Sequence, residues 1–212
     1  MGAKTDKLLS VLKLQPVVPV LIVEDAASAV PLARALVKGG LKAIEITMRT
    51  EAALDAVTRV AQEVEGAVAG AGTILNPAHF QAAVAAGAQF IVSPGTTQEL
   101  LDEAAKSEIP LLPGAATASE VMALRQEGYS VLKFFPAEQA GGASYLKSLS
   151  SPLAGTMFCP TGGISLKNAR DYLSLPNVIC VGGSWVAPKE LVAAGDWDGI
   201  TRLAEEAAAL TA

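Results

Sequence analysis

Lys42-Ala43-Ile44-Glu45-Ile46-Thr47-Met48 reads as a strand: short, apolar and rich in β-branched residues. A helix follows over 51–64, and Ala67-Val68-Ala69-Gly70-Ala71-Gly72-Thr73 reads as the next strand. The rest of the chain repeats this unit in both directions. Upstream, 4–14 reads as a short helix and 17–23 as a buried strand. Asp25 or Ser28 caps a second helix that ends at Gly39-Gly40. Downstream, strands over 90–94, 109–113, 131–135, 157–160 and 178–181 alternate with helices over 77–86, 98–106, 119–127, 145–149, 166–173 and 200–209. Apolar strands alternating with helices imply a parallel sheet covered by helices. Eight such units behind a short N-terminal helix predict an α/β fold, a (β/α)8 TIM barrel. An open doubly wound sheet is the alternative; the count and the absence of G-x-G-x-x-G favour the barrel. No linker or composition break divides 1–212, so a single domain is expected.

Composition narrows the function. The 212 residues are 51% hydrophobic and carry a net charge of -5. That balance, with no run of Lys or Arg, argues against nucleic acid. No apolar run reaches a membrane span, and residues 1–13 lack a signal-peptide core. Cys159 and Cys180 lie in apolar runs and read as reduced core residues, which fits a cytoplasmic protein. His79, the one histidine, reads as a solvated first-turn residue. No Cys or His cluster has metal-site spacing and no P-loop is present, so neither metal nor cofactor is expected. Catalysis is left to lysine, carboxylates, hydroxyls and backbone.

In such a barrel the active site lies at the C-terminal ends of the strands. In Val131-Leu132-Lys133-Phe134-Phe135-Pro136-Ala137-Glu138, one lysine sits inside an apolar strand. Loss of hydration disfavours an ammonium there and favours the neutral amine, the form that makes an imine with a carbonyl. A structural role, snorkelling or ion pairing, is the alternative for Lys133. Glu45 is an acid in another apolar strand, a candidate acid or base, or else the partner of Arg49 or Lys133 in an ion pair. Phe135, two residues beyond Lys133, can share its face and wall it from solvent, or be plain core. Thr73 offers a hydroxyl at a strand end. Pro94, in Ser93-Pro94-Gly95, joins the substrate-binding candidates by its place at the barrel mouth, although Pro-Gly turns are ordinary strand stops. Pro160-Thr161-Gly162-Gly163-Ile164 and Gly182-Gly183-Ser184 end the last two strands. Paired glycines in those two loops suit a phosphate held by backbone N–H groups.

The chain resembles the KDPG/KHG (2-keto-3-deoxy-6-phosphogluconate and 4-hydroxy-2-oxoglutarate) aldolases, class I lyases of the Entner–Doudoroff pathway. The resemblance spans nearly the whole chain and rests chiefly on Glu45-Ile46-Thr47-Met48-Arg49-Thr50 and Lys133-Phe134-Phe135-Pro136-Ala137. It implies that Lys133 forms the Schiff base and Glu45 is the general acid/base. It also implies that Arg49 and Thr73 hold the pyruvate carboxylate, that Thr161 faces the substrate, and that the protein is a homotrimer. Two departures leave the phosphate contacts open: small residues at Ala115-Ala116, and Gln15 where relatives sometimes place a basic residue. The expected substrate is 2-dehydro-3-deoxy-6-phosphogluconate, with 4-hydroxy-2-oxoglutarate or the galactonate-derived epimer as alternatives. A phosphate-binding isomerase and a non-catalytic phosphosugar-binding barrel are the readings outside the family.

Overall fold

The computed structural model describes residues 2–210. It opens with α1 (Gly2–Leu12) and continues β1 (Val17–Leu21), α2 (Ala26–Lys38), β2 (Ala43–Thr47), α3 (Ala53–Glu63), β3 (Val68–Gly72), α4 (Pro77–Ala85), β4 (Phe90–Val92) and α5 (Gln98–Lys106). Then come β5 (Leu111–Leu112), β6 (Gly114–Ala115), α6 (Ala118–Gln126), β7 (Val131–Phe134), α7 (Gly142–Leu149), β8 (Met157–Pro160), α8 (Ala169–Leu173), β9 (Val181–Gly183), α9 (Lys189–Ala194) and α10 (Trp197–Ala208). The strands pair in parallel, in the orders β5-β4-β3-β2-β1-β9 and β6-β7-β8. The result is an α/β fold with parallel strands in a curled sheet.

Four points differ from expectation. The strand expected over 109–113 is two short ones, because Pro113 has no N–H to give a ladder. At that proline the chain changes partners: Ser93 N–H bonds Leu112 O at 3.2 Å, and Lys133 N–H bonds Pro113 O at 2.9 Å. The strand expected over 178–181 lies further on, so Gly182 and Gly183 are strand residues rather than loop. The helix α9 was not anticipated. His79 is half-buried in the first turn of α4, where its N–H bonds the Asn76 cap, rather than fully solvated.

Strand alternation separates two apolar layers. One lies between sheet and helices and includes Ile44, Ile46, Leu132 and Phe134. The other gathers Val18, Ala43, Phe90, Val92, Leu112, Val131, Cys159 and Cys180, and α1 covers it with Leu8, Val11 and Leu12. Burial of each large apolar side chain stabilises by about 1.5–3 kcal/mol. Both cysteines are free and buried, and a hydrogen bond with Cys159, together with burial, pushes the Cys180 thiol well up. Gln15 is a buried staple at the start of β1 and β2. Its Nε2 donates to Val17 O and Ala43 O at 2.9 and 2.8 Å, and its Oε1 accepts from Ala43 N at 2.9 Å.

Candidate active site

Two residues beyond the apolar inner set, on the same side of each strand, the chemistry changes. Ala43 is followed by Glu45, Val131 by Lys133, Cys159 by Thr161 and Cys180 by Gly182. Lys133 Nζ donates to Glu45 Oε1 at 3.2 Å, with the two residues only 5% and 3% exposed. Taking such a pair out of water costs several kcal/mol per ion, so its presence is weak evidence for stability and good evidence for a site. The glycines of β3 make room: a Cβ on Gly70 would overlap the Phe90 ring, and one on Gly72 would overlap the Glu45 carboxyl. The Phe135 ring centroid lies 5.3 Å from Lys133 Nζ.

Arg49 does not pair with Glu45. Its Nε donates to Thr73 Oγ1 at 3.2 Å. Thr73 has φ of 59°, a left-handed conformation that a β-branched residue rarely adopts, and Arg49 is bonded to the hydroxyl of this residue. The segment carrying Arg49 is tied down by Thr47 Oγ1 to Leu21 O at 2.8 Å and Thr50 Oγ1 to Val23 O at 2.6 Å.

Arg49, Phe135, Thr161, Gly162 and Gly163 line one cavity of about 530 Å³, and Gly182, Gly183 and Ser184 line it too. Lys133, Glu45 and Thr73 are not on that lining; Phe135, whose ring stands over Lys133 Nζ, is. Pro94 is not on it either. Its carbonyl packs against Gly114, where Thr96 Oγ1 also bonds Gly114 O at 3.0 Å, so it closes a strand junction instead. Sequence reasoning missed Lys189 and Trp185 on the lining. Lys189 reaches Glu24 at 3.8 Å, both exposed. Pro188 before Lys189 and a left-handed Gly195 after Ala194 are ordinary helix start and stop signals that mark α9.

Among the described residues, no group of three or more His, Cys, Asp or Glu could hold a metal ion, and no helix is long and apolar enough to cross a membrane. What the site offers is a buried amine beside a carboxylate, a guanidinium with a hydroxyl, and a glycine-rich wall. That set can form an imine, move a proton beside it, and hold an anion at either end.

The family model for KDPG and KHG aldolase matches residues 8–203. The 2-dehydro-3-deoxy-phosphogluconate aldolase of Pseudoalteromonas atlantica is 52% identical over 194 residues, covering 92% of this chain and 90% of the relative. The KHG/KDPG aldolase of Escherichia coli is 50% identical over 198 residues, 93% of each chain. A solved structure of KDPG aldolase from Legionella pneumophila, with pyruvate captured at low pH as a covalent carbinolamine intermediate, matches with a TM-score of 0.93 at 45% identity. That match covers 95% of this chain and 98% of the other. The chain belongs to the KDPG and KHG aldolase family.

Proposed function

We propose that this protein is a class I aldolase that cleaves 2-dehydro-3-deoxy-6-phosphogluconate to pyruvate and glyceraldehyde 3-phosphate, with Lys133 as the Schiff-base lysine and Glu45 as the acid/base. The observation that carries this reading is the buried 3.2 Å contact between Lys133 Nζ and Glu45 Oε1. The unprotonated Lys133 amine adds to the C2 ketone, and the carbinolamine hydroxyl takes a proton from Glu45 and leaves as water, giving an iminium and a Glu45 carboxylate. Glu45 removes the C4 hydroxyl proton. The C3–C4 bond then breaks, its electron pair enters the iminium to give an enamine, and the aldehyde leaves. Glu45 returns the proton to C3, and water hydrolyses the new iminium to release pyruvate and the free amine, with Glu45 taking up the proton set free. In this reading Arg49, bonded to Thr73, holds the substrate carboxylate with it, and Thr161 faces the chain of hydroxyls. Gly162, Gly163, Gly183 and Ser184 take the phosphate in the same reading, supported by their place on the cavity lining, and Gly182 makes room for the Thr161 hydroxyl.

The name of the Escherichia coli relative favours a second substrate, 4-hydroxy-2-oxoglutarate, which shares the pyruvate half. Pyruvate release followed with each substrate tests both. Turnover of the phosphorylated substrate is expected, and none with either would remove the reading.

The same reading includes closure into a (β/α)8 barrel. Its support is the continuous run from Leu111 to Ala115 that serves both sheets, and the parallel bridges Phe158–Val178 and Thr161–Gly182 at the other side. A cytoplasmic homotrimer fits the family resemblance.

A further inference from the structure

The Thr161–Gly163 turn is fastened from outside the cavity it lines. Ala137 N–H donates to Thr161 O at 2.8 Å and Glu138 N–H to Gly162 O at 3.1 Å, while Asn168 Nδ2 donates to Gly163 O at 3.2 Å. All three carbonyls therefore point at protein donors. Gly162 and Gly163 have φ of 103° and 75°, open only to glycine at low cost. The stem of Glu138 lies hard against this turn, since a Cβ on Gly163 would come within 2.6 Å of its Cγ. The Glu138 carboxylate in turn accepts the hydroxyl of Tyr172, a residue 1% exposed on α8. Burial first, then the bond to Glu138, pushes the Tyr172 phenol up, which keeps it a donor. Asn168, just ahead of α8, accepts from Ser165 N–H at 2.8 Å. One helix thus grips the turn on both flanks.

We propose that Glu138, Tyr172 and Asn168 are positioning residues that fix the Gly162–Gly163 backbone for the substrate phosphate, and so set the preference for phosphorylated over phosphate-free ligands. The inference rests on the aldolase reading above. Backbone dipoles bind an oxyanion well only if they are already aimed, and a shift of a few tenths of an ångström in the supporting shell weakens them. Pyruvate has no phosphate to set in that turn, so loosening the turn acts on the phosphorylated ligand and spares pyruvate.

The test uses the full chain and two ligands: 2-dehydro-3-deoxy-6-phosphogluconate in steady-state turnover, and pyruvate in borohydride trapping, which has no phosphate. Tyr172→Phe and Asn168→Ala are expected to raise KM for the phosphorylated substrate about tenfold, with kcat and half-saturation by pyruvate held within about twofold. Glu138→Gln keeps both the stem and the acceptor, and should retain the wild-type KM. Asn168 is half-exposed, so its variant decides the matter if Tyr172→Phe fails to fold. Folded Tyr172→Phe and Asn168→Ala proteins with unchanged KM, or with equal losses on both ligands, overturn the proposal. A wild type that neither turns over the substrate nor traps pyruvate overturns the aldolase reading instead.

Discussion

Glu45 has no slack on its β3 side, where Gly72 stands against its carboxyl. A methyl there must displace the acid from Lys133. Gly72→Ala is therefore expected to fold yet lose turnover by at least about tenfold, since small misplacement of a reacting group is costly; pyruvate release beside a thermal melt reads both. Glu45→Gln should still trap pyruvate on Lys133, while turnover drops by about 10²–10⁴, the usual share of general acid–base catalysis. Unchanged turnover in that variant would remove the base role. At this scale the sequence was informative because a charged residue inside an apolar strand is rare, and both Lys133 and Glu45 are of that kind. Arg49 and Thr73 could be assigned only through family resemblance, as their bond depends on a left-handed Thr73 that no propensity foretells. The Glu138–Tyr172 contact joins residues far apart in the chain and had no signal at all.

The helices follow rules that can be tested one end at a time. Thr117 and Glu120 form a capping box on α6: the Glu120 carboxylate accepts from Ala116 N–H, Thr117 N–H and the Thr117 hydroxyl. The Ala116 N–H leads the group that holds this carboxyl below its usual range, against the opposing effect of burial. A carboxyl lowered in the folded state stabilises fully above its unfolded pKa, about 4.3, and that benefit is lost as pH falls through the lower folded value. Glu120→Gln should therefore be less stable than wild type at neutral pH, and the gap should close in acid; urea unfolding at several pH values reads it. Helix and strand order was legible because period and caps are local. The division at Pro113 was visible as a proline, yet which strand pairs on each side of it is set by packing across the sheet. The short α9 has start and stop signals, and its one turn and a half carries no buried residue to mark it.

Across the whole molecule, the apolar inner layer and α1 close one end, and the polar residues stand at the other. Gln15 is the joint that the closed end depends on. Gln15→Ala leaves buried backbone groups of β1 and β2 unpaired and is expected to cost at least about 2 kcal/mol in urea unfolding, with little change in KM. Because the iminium supplies the electron sink, EDTA should leave turnover intact; its loss would contradict the mechanism. The order of elements was readable from the repeating strand and helix pattern, and so was the glycine-rich part of the cavity wall, whereas its residues from β1 and α9 were not, since only folding brings them there.

The most direct test is borohydride reduction in the presence of pyruvate, followed by peptide mass mapping. The account predicts one reduced pyruvate adduct per chain, on Lys133, absent from Lys133→Ala. An adduct that persists in Lys133→Ala, or that maps to another lysine, would contradict it.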